Sequence, residues 1–210
     1  MSCETKEQIM EASLELFSQN GFLGTSMSDI ASQLKITKGA LYKHYESKQK
    51  ILERIIERMA ELDLERANEY EMPDAKLDNS AESYTHIPAE KIREYSIAQF
   101  RHWTEEKFSS QFRKMLTLEQ FRSKKMSDLY QNYLAAGPLE YMTEIFKKIT
   151  KSKPRAKQVA LEFYGPIFIL YSIYDGVSED KKKSVFVQLE KHIKNFIEQL
   201  EKERAEKQSK

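Results

Sequence analysis

Apolar residues recur at helical intervals along most of the chain, and the breaks between the runs mark its elements. Ile9, Ala12, Leu16 and Phe17 share one face of a first helix predicted from about Lys6 to Gln19, which Asn20-Gly21 ends. Met27, Ile30, Ala31 and Leu34 fall on one face of a short helix announced by the capping signature Ser26-x-x-Asp29. After a break at Lys35-Ile36, Thr37 caps a second short helix. Leu41 and Tyr45, four apart, should face the core, which leaves Thr37, Lys38, Gly39, Tyr42 and Lys43 outward. Two short helices with a tight turn between them, the second dressed in Lys and Tyr, make a helix-turn-helix whose second helix is of a kind that enters a major groove. Ser47 is the predicted cap of a longer helix with a continuous apolar face of Ile51, Leu52, Ile55, Ile56, Met59 and Leu62.

The pattern then lapses. Between about Asn68 and Pro88 there are two prolines, few large apolar residues and several turn formers, which puts a domain boundary near the start of this stretch. The expected division is 1–65 and 66–210. Pro88 suits a first helical turn, followed by Ile92, Tyr95, Phe100 and Trp103. Phe108, Phe112, Met115 and Leu116 mark the next helix, and Leu129, Tyr130, Tyr133 and Leu134 another, interrupted at Gly137-Pro138. Tyr141, Met142, Ile145 and Phe146 continue the pattern. Pro154 opens a strongly apolar helix with Val159, Phe163, Ile167, Leu170 and Tyr174, which Asp175-Gly176 closes. Ser178 caps the last helix, where Val185, Leu189, His192, Phe196 and Leu200 alternate in steps of three and four. The predicted class is all-α, a three-helix DNA-binding domain with a helix-turn-helix followed by a larger helical domain.

Charge changes this picture only locally. The 210 residues hold 34 basic and 33 acidic side chains, so nothing global points to nucleic acid. Residues 35–50, however, carry five lysines against Glu46 alone, the kind of stripe that phosphate contact needs. Cys3 is the only cysteine, which rules out a disulfide within the chain. The N-terminus lacks a signal-peptide pattern, and the longest apolar run, Ile167 to Tyr174, is too short to span a bilayer. A cytoplasmic protein without membrane association is expected. No Gly-rich phosphate loop, metal-ligand spacing or nucleophile elbow is present, so neither an enzyme nor a metal or cofactor is expected.

The N-terminal part resembles the TetR family of bacterial transcriptional regulators. The resemblance runs through Ile9, Ala12, Leu16-Phe17, Gly21-Phe22, Thr25-Ser26, Ile30-Ala31, Thr37 to Tyr42, His44-Tyr45 and Ser47-Lys48. It departs at Lys35, where the family usually has Gly in the turn. If Lys35 is left-handed, it costs about 1 kcal/mol. The resemblance implies DNA contacts by Thr25, Ser26, Thr37, Lys38, Gly39, Ala40, Tyr42, Lys43, His44 and Lys48. Lys38 is suited to guanine acceptors, Gly39 to close backbone approach, Tyr42 to a phosphate oxygen, and Lys43 and Lys48 to phosphate charge. For His44, packing against the first helix and touching a phosphate stand as equal alternatives. Beyond about residue 65 the resemblance is architectural.

It further implies a homodimer on a palindromic operator and a cavity among the later helices for a small lipophilic or cationic effector. The residues expected to line that cavity are Phe100, Trp103, Phe112, Met115, Glu119, Tyr130, Tyr133 and Phe163. Most aromatics at helical spacing are core, so a minority would do so. Glu119 would put a carboxylate on the Phe112, Met115, Leu116 face, where it needs either an Arg or Lys partner or a ligand to anchor. The last two helices are expected to dimerise through Phe163, Ile167, Leu170, Leu189, Ile193, Phe196 and Leu200, as a four-helix bundle about a two-fold axis. The rival expectation is a DNA binder with a filled C-terminal core that answers to a protein partner.

Overall fold

In the computed structural model, residues 2–70, 89–150 and 152–208 are described. They form ten helices and no strand: α1 (Ser2–Gly24), α2 (Met27–Gln33), α3 (Lys38–Tyr42), α4 (Lys48–Glu69), α5 (Ala89–Thr104), α6 (Lys107–Glu119), α7 (Lys124–Leu134), α8 (Ala136–Thr150), α9 (Lys153–Gly176) and α10 (Glu179–Gln208). Most of the stretch expected to hold the domain boundary, together with the Pro88 helix start, lies outside the described residues. No described helix is long and apolar enough to cross a membrane.

By packing, the chain divides otherwise than at residue 65. Among the described residues, those within 1–66 and 105–130 form one compact unit, and those within 67–104 and 131–210 form the other. The reason is α6, which packs along α1 and joins the first core. That core combines Ile9, Met10, Leu14 and Phe17 of α1 with Ile30, Leu41, Ile51, Leu52, Ile55 and Met59, and with Phe112, Met115 and Leu116 of α6. A period-based reading of three short helices plus α4 could not supply this fifth helix, because α6 begins 38 residues beyond the end of α4. Ala12 and Leu16 of α1 are only half-buried, and Leu14 takes the inward position instead.

In the second unit α8 and α9 form a closely packed pair, and α5 and α10 lie against α9. The break expected at Gly137-Pro138 falls two residues earlier, at Ala135, and Gly137 and Pro138 lie in the first turn of α8. A Cβ on Gly137 would sit 1.9 Å from the Asn132 carbonyl oxygen, so only glycine lets α8 begin there. At Pro166 no break occurs: α9 runs through it, and the Tyr164 hydroxyl beside it donates to the Leu134 carbonyl at 2.9 Å.

Candidate nucleic-acid interface

Local hydrogen bonds fix the helix-turn-helix. The Ser26 hydroxyl accepts from the Asp29 N–H at 3.2 Å, and the Asp29 carboxylate accepts from the Ser26 N–H at 2.7 Å, a closed capping box. These bonds from Ser26 hold the Asp29 carboxyl below its ordinary range. At the other end of α2, Lys35 stands at φ 55, the left-handed conformation its place in the turn demanded. The Ile36 N–H reaches back to the Ala31 carbonyl at 3.0 Å and the Lys35 N–H to that of Ser32 at 3.1 Å, a Schellman ending that glycine normally serves. Thr37 then caps α3 by accepting from the Ala40 N–H at 3.1 Å.

α3 turns Leu41 fully inward, and Tyr45 just beyond it is also buried, its hydroxyl donating to the Lys6 carbonyl at 3.4 Å. Burial pushes the Tyr45 phenol up. Lys38, Gly39 and Lys43 are exposed, Tyr42 is 45% exposed, and Ala40 and His44 are half-buried. The outward set read from spacing is therefore the outward set in three dimensions.

Two residues named for DNA also make contacts within the chain. Thr25 is buried, its hydroxyl donating to the Gly21 carbonyl at 2.9 Å. Lys48 is turned inward. Its ammonium donates to the carbonyls of Phe22 and, at 2.5 Å, of Thr25, and lies 4.4 Å from the centre of the Phe22 ring. Burial lowers its pKa, with Glu119 opposing that shift. The side chain thus straps the α1–α2 connection to the start of α4. Spacing alone made Lys48 one cation among five; its partners are carbonyls twenty-three and twenty-six residues away, which no local pattern reveals.

Glu119 belongs to the same arrangement. It is 2% exposed, and its Oε1 would lie 2.3 Å from a Cβ on Gly21, which itself stands at φ 78 and ψ 159. Only glycine fits that backbone. The Glu119 charge opposes the fall in the Lys48 pKa, and among the described residues its buried Oε2 has no hydrogen-bond partner.

The other residues expected around an effector are divided between the units. Phe112, Met115, Glu119 and Tyr130 belong to the first and Phe100, Trp103, Tyr133 and Phe163 to the second. Trp103 and Tyr133 meet edge-on at 6.3 Å. Phe100 stacks on Tyr171 at 5.0 Å, whereas Phe163 packs with Phe146 and Phe196. Phe100, Phe112, Met115 and Phe163 have no exposed surface, so no water-sized space adjoins them. A cleft of about 410 Å³ opens elsewhere, between α9 and α10, lined by Arg155, Val159, Glu162, His192, Asn195 and Phe196 among others.

Phe163, Ile167, Leu170, Leu189 and Ile193 are buried inside their own subunit, and Phe196 and Leu200 border the cleft. Both helices pack on two sides, and periodicity cannot say which apolar face is the inner one.

A capped two-helix motif presenting Lys38, Tyr42 and Lys43 on an all-α scaffold defines a helix-turn-helix protein of DNA-binding type. The family model of bacterial regulatory proteins, tetR family, matches residues 9–55. The chain is 45% identical over 49 residues to the HTH-type transcriptional regulator YerO of Bacillus subtilis, a stretch covering 23% of this chain and 17% of that one. It is 38% identical over 66 residues to the HTH-type transcriptional regulator AcrR of Shigella flexneri, covering 30% and 31%. The chain thus matches less than a third of the length of either regulator. Its fold is similar to that of MexZ, a repressor of Pseudomonas aeruginosa, with a TM-score of 0.65 and 17% identity over 94% of each chain. Residues 9–55 therefore resemble the tetR family of bacterial regulatory proteins, and the similarity to MexZ is one of fold.

Proposed function

We propose that this chain is a DNA-binding transcriptional regulator, a repressor that grips a palindromic operator as a homodimer and is released by a small lipophilic or cationic effector. The single observation that carries the DNA contact is α3, where Lys38, Tyr42 and Lys43 are exposed while Leu41 is fully buried. Residues 1–65 supply the reading head in this proposal, and Lys48 and Thr25 act by holding its shape. The Lys43→Ala variant is expected to weaken binding to every duplex and to lower the slope of log affinity against log salt by about 0.9. Tyr42→Phe removes one phosphate hydrogen bond and should weaken binding without changing that slope. Wild-type affinity and slope in both variants, measured by fluorescence anisotropy, would remove α3 from the interface.

The dimer rests on a face of α9 that its own subunit leaves uncovered. Leu161, Phe168, Ile169 and Ile173 are exposed at helical spacing, and Val187 of α10 is exposed as well. Gly165 lies on the same stripe with open space where a Cβ would be, so a second backbone can come close.

A second reading, control by a protein partner, is favoured by the solid packing around Phe100, Phe112, Met115 and Phe163. An effector among them must first open the core. Thermal stabilisation and operator release by a lipophilic or cationic compound would favour the effector; a screen without either favours the partner.

A further inference from the structure

The turn between α6 and α7 holds a feature that the fold does not use. Phe121 is 91% exposed at its tip, followed by Arg122, Ser123, Lys124 and Lys125, all exposed. The turn is nevertheless well fastened. The Arg122 N–H donates to the Glu119 carbonyl at 2.9 Å, the Ser123 hydroxyl accepts from the Met126 N–H at 3.2 Å, and the Met126 side chain is buried. A phenyl ring held in water on a fixed turn adds nothing to the core.

Its surroundings show what it faces. Glu119, directly before the turn, lies against Gly21, a few residues before the cap of α2. Lys125, directly after it, acts on Glu53 of α4, whose carboxyl is held low by Lys50 first and by Lys125 to a smaller extent. The turn therefore follows a residue packed on the C-terminal end of α1, and its Lys125 lies in electrostatic reach of Glu53 on α4, within the unit that carries the helix-turn-helix. In such motifs the first helix crosses the phosphate backbone beside the groove. Lys124 is occupied by Asp128 at 2.8 Å, whereas among the described residues Arg122 has no carboxylate partner.

We infer that the Phe121–Lys125 turn is a second DNA contact that reads no bases, in which Arg122 and Lys125 neutralise phosphates flanking the half-site and Phe121 packs against a deoxyribose. The inference rests on the DNA-binding reading above. Charge complementarity favours this occupant: three cations in four positions meet a polyanion beside a motif already shaped for it.

The test uses the full chain and a labelled mixed-sequence duplex titrated over a salt series, since contacts of this kind need no operator. The double variant Arg122→Gln/Lys125→Gln should bind several-fold more weakly, with the salt slope lower by about 1.8, or about 0.9 per lost contact. Phe121→Ser should weaken binding at unchanged slope. Both changes are on exposed side chains, so an unchanged melting midpoint verifies the fold, and the ranking of different duplexes should be preserved. Wild-type affinity and slope in the double variant, with Lys43→Ala still impaired, would overturn the inference and assign Phe121 to a protein partner. A reordered ranking would overturn it too, because the turn would then be reading bases. Absence of duplex binding by the wild-type chain at low salt would instead fail the DNA reading itself.

Discussion

Lys35 carries the least comfortable backbone among the described non-glycine residues, at φ 55. A left-handed L-residue costs roughly 1–2 kcal/mol, and glycine escapes most of it. Lys35→Gly is therefore expected to raise the stability of the chain by up to about 1 kcal/mol. Lys35→Val, β-branched at a positive φ, should lower it. Chemical denaturation of the two variants checks both signs. Gly21 is the converse case, a glycine the backbone cannot replace, because its φ of 78 is joined by the close approach of Glu119. Lys35 was legible from the sequence as a departure in a turn that wants glycine. The Gly21–Glu119–Lys48 cluster was not, since its members are drawn from three separate helices or their ends.

α2 is seven residues long, too short to persist alone, and depends on its ends and its packing. Loss of the Ser26 cap in Ser26→Ala should cost about 1 kcal/mol. Asp29 gives the same box a pH dependence. Its carboxyl is held below the ordinary value of 3.8 by the bonds from Ser26, so the folded state binds that proton less readily than the unfolded one. The resulting stability is present above that value and is lost as the pH falls through the lower, folded one. Acid titration of the wild type should therefore show a loss in this window that Asp29→Ala lacks. The capping box was readable as Ser26-x-x-Asp29 because both partners are local. α6 behaves differently. Its amphipathic pattern announced a helix, but its choice of α1 as neighbour came from shape and long-range burial.

At the scale of the whole molecule, the proposed dimer turns on which face of α9 is left over. Ile169 is 59% exposed on the stripe with Leu161, Phe168 and Ile173, so Ile169→Glu should leave the subunit folded and yield monomers with much weaker operator affinity. Sedimentation velocity at micromolar concentration reads the outcome. A dimer that survives the charge would move the interface elsewhere. Phe196→Glu is a poorer probe, because the ring packs on Phe146 and Phe163 and the substitution would damage the subunit itself.

The sequence by itself determined what is local. Helical periodicity, Gly and Pro breaks, the caps at Ser26 and Thr37 and the Leu41/Tyr45 spacing specified an all-α chain, its motif and the outward side of α3. These features depend on residues within a turn or two of one another. Tertiary structure alone decided that α6 completes the first core, that Lys48 is bound to carbonyls and Glu119 lies in its field, that Phe163 and Ile167 face inward, and that Leu161 and Ile169 stay exposed. Each of those outcomes compares the burial of alternative apolar faces or the desolvation of a charge against distant neighbours. Those energies exist only once the helices have met.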